Sequence, residues 1–502
     1  MNANLYAHIE RATPRDPDTP VLLPDKGRIY SWRELHEETA RYASLLSELG
    51  LTQGDRVAAQ VDKTPQALFL YLACLRAGLA YLPLNTAYQR GELRYFLDDA
   101  QPRAIVCRTQ TETDVRDLCG SGSIVHTLDD KGGGTLAEAA ARQPRTFDTL
   151  VLDPDDLAAI IYTSGTTGRS KGAMVTHGNL LSNGRVLVDH WEFTSRDVLL
   201  HALPIFHVHG LFVANHCVLL SGARMIWHGK FDGPAVRRDL PSATVLMGVP
   251  TFYTRLLADP QFEGAACTSV RLFISGSAPL LTETFRQFEA RTGQRILERY
   301  GMSEAGMITS NPLRGERKAG TVGIPLPGVS LRVADDQDRP LPIGQTGAIQ
   351  IKGKNVFKGY WNMPERTREE FTADGWFRTG DVGVFDRQGY LSIVGRAKDL
   401  IITGGYNVYP KEIEMAIDAL PGVSESAVIG LPHPDFGEAV TAVVVPQPGI
   451  QINEAAIIAQ LKHDLANYKV PKRVIVLPNL PRNAMGKVQK NVLRQTYGDP
   501  AP

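Results

Sequence analysis

Short apolar runs alternate with longer amphipathic stretches along most of the chain. Runs such as RVAAQV (56–61) and LAAIIYT (157–163) have the length of buried strands. Between such runs lie helical patterns such as residues 31–50, which begin with Ser31 and Glu34 at the spacing of a capping box. Strands that alternate with helices predict an α/β fold with mixed sheets flanked by helices.

The pattern changes in the last third of the chain. GAIQIKGKNVFKGYW (347–361) and GWFRTGDVGVFDRQGYLSIVGR (375–396) are rich in strand-forming residues and interrupted by glycine, which predicts a small β-barrel layer. A compact α+β pattern follows. We therefore expect a large N-terminal domain (1–394) with two mixed sheets plus the β-barrel layer, and a small mobile α+β C-terminal domain (395–502).

Charge and hydropathy exclude some functions. The 502 residues contain 54 Lys and Arg and 54 Asp and Glu, so there is no basic excess of the kind that a nucleic-acid partner usually requires. Residues 198–223 lack Asp, Glu, Lys and Arg, but they include four histidines and a proline, which makes them a poor membrane span. We expect neither a nucleic-acid partner nor a membrane span.

The cysteines indicate a reducing compartment. There are five, an odd number, and none forms a CxxC pair, so neither a disulfide framework nor a zinc ribbon is expected. The first residues, MNANLYAHIERATPRD, lack the apolar core of a signal peptide. These features together predict a cytoplasmic protein.

A glycine-rich loop is the first sign of chemistry. YTSGTTGRSKG (162–172) combines three glycines with Ser, Thr and two cations, a composition suited to phosphate oxygens. It does not match the GxxxxGK[ST] loop of common nucleoside triphosphatases, because Gly172 follows Lys171 where that pattern has Ser or Thr. The alternative for Lys171 is a loop cation that faces solvent.

Three further stretches are unusual: RYGMSEAG (299–306), FRTGDVG (377–383) and PRNAMGKVQK (481–490). Taken singly, each has an ordinary explanation. Asp381 would cap a turn, Glu304 would be a carboxylate at the start of a helix, and Lys487 would lie in a solvated loop. Their occurrence together, and in this order, makes the ordinary explanations inadequate.

With the glycine-rich loop, these stretches resemble the adenylate-forming acyl-CoA synthetases, the family that includes firefly luciferase and the adenylation domains of nonribosomal peptide synthetases. Within it, HALPIFHVHGLF, MGVPTFYTRLL and LPRNAMGKVQKNVLR resemble malonyl-CoA synthetases. The resemblance implies that a carboxylate attacks the α-phosphorus of ATP and that coenzyme A then displaces AMP from the acyl-AMP. Malonate is the acid it implies; methylmalonate and other short-chain or aryl acids stay open.

The resemblance also implies the residues of the site. Lys487 would be catalytic, Thr163 and Glu304 would contact Mg²⁺, Lys398 would be the hinge for domain rotation, and coenzyme A would pass Gly404, Gly405 and Tyr406. Asp381 and Arg396 would bind the ribose. The ATP set comprises Thr163, Ser164, Gly165, Thr166, Thr167, Gly168, Lys171, Gly276, Ser277, Ala278, Tyr300, Gly301, Met302, Ser303, Asp381, Arg396 and Lys487.

The acyl pocket is expected to include His207, Arg255, Ser277 and Met302. Arg255 lies in an apolar segment, so we expect it to be buried and to need an anion, which a dicarboxylate would supply. The alternative is a structural ion pair with a protein carboxylate. His207 and His209 are two residues apart, which is wrong for a helical metal pair, so one would be a pocket wall and the other a core residue.

Other functional classes fit the sequence less well. A non-catalytic nucleotide sensor would have little reason to keep Lys487 and the hinge. A luciferase-type oxidase would differ only in its acceptor pocket. An amino-acid-activating domain would normally precede a carrier domain, and the chain ends soon after Lys487, so we expect no fused carrier domain and a diffusible acceptor.

Overall fold

The computed structural model describes residues 2–119, 122–163, 170–403, 406–434, 436–483 and 486–498, with only the backbone of residues 406, 407 and 464. The strands are β1 (Pro20–Pro24), β2 (Tyr30–Ser31), β3 (Arg56–Gln60), β4 (Ala80–Pro83), β5 (Ala104–Cys107), β6 (Ile124–Thr127), β7 (Leu157–Thr163), β8 (Lys171–Thr176), β9 (Val198–His201), β10 (Arg224–Trp227), β11 (Val245–Gly248), β12 (Leu272–Ser275), β13 (Ile296–Met302), β14 (Gly306–Ser310), β15 (Ile324–Pro325), β16 (Val329–Ala334), β17 (Gly347–Gly353), β18 (Gly359–Tyr360), β19 (Phe377–Phe385), β20 (Leu391–Arg396), β21 (Ile401–Thr403), β22 (Tyr406–Val408), β23 (Val423–His433), β24 (Gly437–Pro446) and β25 (Arg473–Val476).

The helices connect and cover these strands. They are α1 (Leu5–Ala12), α2 (Trp32–Glu48), α3 (Pro65–Arg76), α4 (Arg90–Ala100), α5 (Glu112–Leu118), α6 (Thr135–Ala141), α7 (His177–His190), α8 (Asn215–Ser221), α9 (Gly233–Asp239), α10 (Pro250–Ala258), α11 (Thr282–Thr292), α12 (Pro364–Glu369), α13 (Pro410–Asp418), α14 (Glu454–Asp464) and α15 (Lys490–Tyr497). A π-helical segment, His209–Ala214, directly precedes α8. Within the described part of the chain, no helix has the length and apolar character to cross a membrane.

Local sequence signals account for helix α2. The Ser31 hydroxyl accepts a hydrogen bond from the Glu34 amide at 3.2 Å, and the Glu34 carboxylate accepts one from the Ser31 amide at 2.9 Å. This is the predicted capping box, which satisfies two amides that the first helical turn leaves without partners. Gly50 follows the helix with a φ of +78°, a conformation that favours glycine.

Two mixed sheets form most of the molecule. The nine-stranded sheet has the order β15-β14-β13-β12-β11-β9-β10-β1-β2, with parallel pairing from β13 to β1 and antiparallel pairing at both ends. The seven-stranded sheet has the order β18-β8-β7-β4-β3-β5-β6, and its pairing is antiparallel between β18 and β8 and between β8 and β7 and parallel from β7 to β6. A large cluster of buried apolar side chains, including Trp32, Tyr71 and Phe273, joins strands of both sheets to α2 and α3.

Two smaller sheets complete the fold. The predicted β-barrel layer is a four-stranded antiparallel sheet, β16-β17-β19-β20, whose β20 edge is tied by backbone hydrogen bonds of Leu391 to Val322 and Gly323. The fourth sheet, β22-β21-β24-β23 with β25 beside β24, packs with α13, α14 and α15 around its own apolar clusters. The predicted α/β fold class is confirmed.

Candidate active site

The predicted ribose residues meet at the carboxylate of Asp381. Asp381 on β19 is buried, and β20 places Arg396 opposite it in the strand register. Arg396 Nε lies 3.0 Å from Asp381 Oδ1, while the Tyr300 hydroxyl donates to Oδ2 at 2.6 Å. The Asp381 carboxylate raises the pKa of Arg396, and burial followed by Asp381 raises that of Tyr300. The structure therefore brings three of the predicted nucleotide contacts together.

The two predicted magnesium contacts also meet. The Thr163 hydroxyl at the end of β7 lies 3.3 Å from Glu304 Oε1, and the Tyr360 hydroxyl donates to the same oxygen at 3.1 Å. Burial raises the pKa of Glu304. A carboxylate beside a hydroxyl supplies the hard oxygen donors that Mg²⁺ prefers when phosphate and water provide its other ligands. The residues thus fit the cation that adenylate-forming enzymes use.

Lys171 is not the solvent-facing cation of the alternative interpretation. It is buried at the start of β8, and its Nζ lies 3.1 Å from Glu370 Oε1. The same nitrogen lies 4.3 Å from the centroid of the Tyr360 ring. Its predicted contact with phosphate stays a prediction, since Ser164, Gly165, Thr166, Thr167 and Gly168 lie outside the described residues.

Lys487 extends into the same cleft from the loop before α15. Its amide donates to Asn483 Oδ1 at 3.0 Å, and the loop at Gly486 approaches Thr251 at the start of α10. The Lys487 residue is exposed to solvent. Desolvation by the surrounding protein, then the charges of Arg396 and Lys398, lower the pKa of Lys487 to about 8. The predicted catalytic lysine thus lies near the ribose residues.

A second arginine, which the sequence analysis does not name, is buried beside Gly276, one of the predicted site residues. Arg299 on β13 is buried, and its Nε and Nη2 have no hydrogen-bond partner in the described structure. Burial lowers the pKa of Arg299 to about 10, so its guanidinium stays charged at neutral pH. A Cβ at Gly276 would collide with the guanidinium, so Arg299 packs directly against the backbone of Gly276 and would have to shift if this position carried a side chain.

The expectation that Arg255 is buried is wrong. Arg255 is exposed on α10, whereas Phe252, Tyr253 and Leu256 of the same helix are buried. In so short a helix the buried residues define one face, and position 255 lies off that face. The apolar character of the segment therefore reports the neighbours of Arg255 rather than its own environment.

Two histidines lie close enough to Arg299 for its charge to act on them. His209, at the start of the π-helical segment, is buried with Nδ1 3.2 Å from Ser277 Oγ. Burial and then the charge of Arg299 hold the pKa of His209 well below its ordinary value. His207 is partly exposed, and burial with the charges of Arg299 and Lys487 lowers its pKa to about 4. Both imidazoles are therefore neutral at pH 7.

Several predicted residues are placed only in part. Ser277 has a φ of +71°, a conformation that glycine adopts freely. The next residue, Ala278, is partly buried, and so is Met302 at the end of β13. Lys398 is exposed in a 3₁₀ turn, Ala397–Asp399, beside an ion pair between Asp399 and Arg494 at 2.9 Å. Of the predicted coenzyme A contacts, Gly404 and Gly405 lie outside the described residues, as does the Tyr406 side chain.

The sequence analysis missed Arg299, Tyr360 and Glu370. Arg299 directly precedes the YGMSE motif, and a charged residue at that place in a buried strand was a usable signal. Tyr360 and Glu370 fall in GYWNMPERTREEF, which carries no pattern that indicates their contacts with Glu304 and Lys171. The contact of Tyr360 with Glu304 joins residues 56 apart in sequence, and that of Glu370 with Lys171 joins residues 199 apart.

Comparison with known proteins identifies the class. A family model described as "AMP-binding enzyme" matches residues 9–361, and one described as "AMP-binding enzyme C-terminal domain" matches residues 412–487. The chain belongs to this family. The predicted AMP-forming acid–CoA ligase, which uses ATP, Mg²⁺ and coenzyme A, is confirmed.

Individual relatives narrow the comparison. The chain is 36% identical to a malonate–CoA ligase of Arabidopsis thaliana, over 95% of this chain and 86% of that protein, and 36% identical to a feruloyl-CoA synthase of an Amycolatopsis species, over 94% and 95%. It is also similar to ATP-bound MatB from Rhodopseudomonas palustris, with a TM-score of 0.97, 54% identity and 99% of both chains covered. The TM-score against apo MatB is 0.87.

Proposed function

We propose that this enzyme activates malonate and transfers it to coenzyme A. The observation that carries the proposal is the buried guanidinium of Arg299, which has no partner for Nε and Nη2 in the described structure. A buried charge without a counter-ion is costly, and a site that creates one is suited to a ligand that supplies it. A dicarboxylate supplies a second carboxylate after the first has been activated, whereas a monocarboxylate leaves Arg299 unpaired.

Similarity to named relatives does not decide the acid. A malonate–CoA ligase and a feruloyl-CoA synthase are equally identical to the chain, at 36%. A feruloyl group has no second carboxylate to pair with a buried arginine. The charge of Arg299 therefore favours the first of these two substrate classes.

The cleft residues fit the first half-reaction. The substrate carboxylate attacks the α-phosphorus of ATP, pyrophosphate leaves, and acyl-AMP forms. The Lys487 ammonium would stabilise the negative charge that develops between carboxylate and α-phosphate, and the carboxylate of Asp381 would hold the ribose hydroxyls. Thr163 and Glu304 would hold Mg²⁺, which supplies charge neutralisation to the phosphates.

The second half-reaction needs a different arrangement. The coenzyme A thiol attacks the acyl carbon and AMP leaves, so the thiol must reach a place beside Lys487. The described arrangement matches ATP-bound MatB better than apo MatB, with TM-scores of 0.97 and 0.87. We assign this arrangement to the adenylation step. We also assign Lys398, in its exposed turn, as the pivot about which the domain of residues 395–502 rotates relative to the domain of residues 1–394. Gly404, Gly405 and Tyr406 would then face the thiol path.

The cysteines support a cytoplasmic location. All five, Cys74, Cys107, Cys119, Cys217 and Cys267, are free thiols, and four of them are buried. Free thiols persist in a reducing compartment. Fractionation of cells that express the tagged protein tests this location, and recovery from a membrane or secreted fraction would contradict it.

A panel of acids tests the substrate. We expect acid-dependent pyrophosphate release and thioester formation to be fastest with malonate, slower with methylmalonate, and slower by about tenfold or more with propionate and butyrate, since one charge-assisted hydrogen bond contributes about 1.5–3 kcal/mol. A preference for monocarboxylates or aryl acids would refute malonate and leave the ligase class intact.

A further inference from the structure

A buried chain of contacts links the proposed metal carboxylate to Lys171. The Tyr360 hydroxyl donates to Glu304 Oε1 at 3.1 Å, and the Lys171 ammonium lies over the Tyr360 ring at 4.3 Å from its centroid. Lys171 pairs in turn with Glu370 at 3.1 Å, and Arg366 reaches the same Glu370 oxygen at 2.8 Å. Four segments of chain are thereby joined beside the nucleotide cleft.

The geometry at Glu304 orients its carboxylate. The hydroxyls of Thr163 and Tyr360 both donate to Oε1, and neither of these bonds uses Oε2. Two donors on one oxygen restrict rotation of the carboxyl plane, which would fix the direction in which Oε2 is presented to a cation. Tyr360 is the better fixed of the two donors, because it is buried and its ring packs edge-on against Phe357 at 4.8 Å between centroids.

The environment of Lys171 suits support of Tyr360 better than direct phosphate binding. Its ammonium is buried and already pairs with a half-buried carboxylate and an aromatic face. To reach a phosphate it would have to give up Glu370, leaving that charge to Arg366 alone. A charge pair that is broken in a buried place is costly, so retention of the pair during the reaction is favoured.

We propose that Tyr360 is a positioning residue for adenylation, which orients Glu304 toward Mg²⁺ and is itself held in place by the Lys171–Glu370 pair. The inference rests on the proposed adenylation site but not on the identity of the acid. The sequence predicts that Lys171 contacts phosphate. In this inference Lys171 instead supports the metal site.

The variant Tyr360→Phe tests this role, since it removes the hydroxyl and keeps the ring under Lys171. We expect the Mg²⁺ concentration for half-maximal malonate adenylation to rise about tenfold, the effect of losing about 1.4 kcal/mol of orientation. The KM for ATP at saturating Mg²⁺, and thioester formation from supplied malonyl-AMP, should change less than about twofold. An unchanged Mg²⁺ dependence would overturn the proposal.

A binding measurement separates this inference from the malonate assignment. With α,β-methylene-ATP and neither acid nor coenzyme A, Mn²⁺ affinity measured by electron paramagnetic resonance should fall about tenfold in Tyr360→Phe. Tyr390→Phe is the control, because the Tyr390 hydroxyl donates to the Glu316 carbonyl at 2.8 Å, next to β20 of the four-stranded sheet. Equal Mn²⁺ affinity in wild type and Tyr360→Phe would refute the role even if malonate is the substrate.

Lys171→Met distinguishes support of Tyr360 from phosphate binding. If Lys171 supports Tyr360, Lys171→Met raises the Mg²⁺ requirement, and combining it with Tyr360→Phe adds little further effect. If Lys171 instead binds phosphate, the substitution Lys171→Met raises the KM for ATP at saturating Mg²⁺, and its effect multiplies with that of Tyr360→Phe. The second result would overturn the assignment of Lys171.

Discussion

Arg299 and Lys171 are both buried cations, but they differ in their partners. Lys171 pairs with Glu370 and lies over the Tyr360 ring, whereas Nε and Nη2 of Arg299 have no partner in the described structure. A protein can retain a buried cation for structure when it supplies the counter-ion itself. The contrast indicates that Lys171 belongs to the framework of the site and that Arg299 is reserved for a ligand.

The largest effect is expected at a third cation, Lys487, which is accessible in the cleft and would act only in one transition state. Lys487→Ala should slow adenylation by about 10²–10³-fold, the usual cost of removing one preorganised charge-stabilising donor. Thioester formation from supplied malonyl-AMP should stay near wild type. Single-turnover assays of the two half-reactions measure both, and equal loss in both would remove Lys487 from its assigned role.

Stability measurements sharpen the contrast between the two buried cations. Glu370→Gln takes the counter-ion from Lys171 and should lower the free energy of unfolding by about 3 kcal/mol. Arg299→Met removes a buried charge whose Nε and Nη2 have no partner in the described structure, so it should leave the ligand-free protein as stable as wild type or more stable. Thermal unfolding without ligands compares them, and strong destabilisation by Arg299→Met would show a structural role for that arginine.

A substitution at Lys398 tests whether the described arrangement of the site serves adenylation only and must change for thioester formation. Lys398→Pro fixes φ near −65°. We expect adenylation to stay within about threefold of wild type and thioester formation to fall at least about tenfold, because only the second step needs the rotated domain. The control is Lys398→Ala, which leaves φ free. Normal overall turnover of the proline variant would mean that Lys398 is not the pivot.

The smallest expected effect is a pH dependence at Lys487. Its pKa is lowered to about 8, so the ammonium is present below pH 8 and is lost as the pH rises through 8. The kcat/KM for adenylation depends on the protonation state of the free enzyme, so it should decline above pH 8, and the slope of this decline should approach about tenfold per pH unit. Lys487→Arg should abolish this decline, because arginine stays protonated. A decline that persists in the arginine variant belongs to another group.

Sequence reasoning is most effective for features that a contiguous pattern encodes. The capping box at Ser31 and the α/β alternation are of this kind, and both are confirmed. The motifs around Glu304, Asp381 and Lys487 are also local; the structure brings their residues together, and their roles stay predictions. Sequence reasoning failed at Arg255, because apolar neighbours do not say on which face of a helix a residue lies. Burial of Arg299 depends on strands and glycines brought together by the tertiary fold.

The contacts of Lys171 show the same limit. Its motif indicated phosphate, but the partner Glu370 lies 199 residues away in sequence. It is brought near because β18 pairs with β8, the strand of Lys171, and α12 between β18 and Glu370 returns the chain to that place. Ion pairs of this kind follow from topology, which local periodicity does not specify. Long-range partners are therefore where the structure adds most to the sequence.

The most direct test of the account is the acid specificity of Arg299→Met beside that of Arg255→Met. Arg299→Met should lower kcat/KM for malonate by about one to two orders of magnitude and leave propionate and butyrate unchanged or improved, as expected when a charge-assisted bond worth about 1.5–3 kcal/mol is lost. Arg255→Met, which alters an exposed arginine, should change neither class of acid. If Arg299→Met weakened malonate and the monocarboxylates by the same factor, Arg299 would not bind the second carboxylate, and the malonate assignment would lose its physical basis.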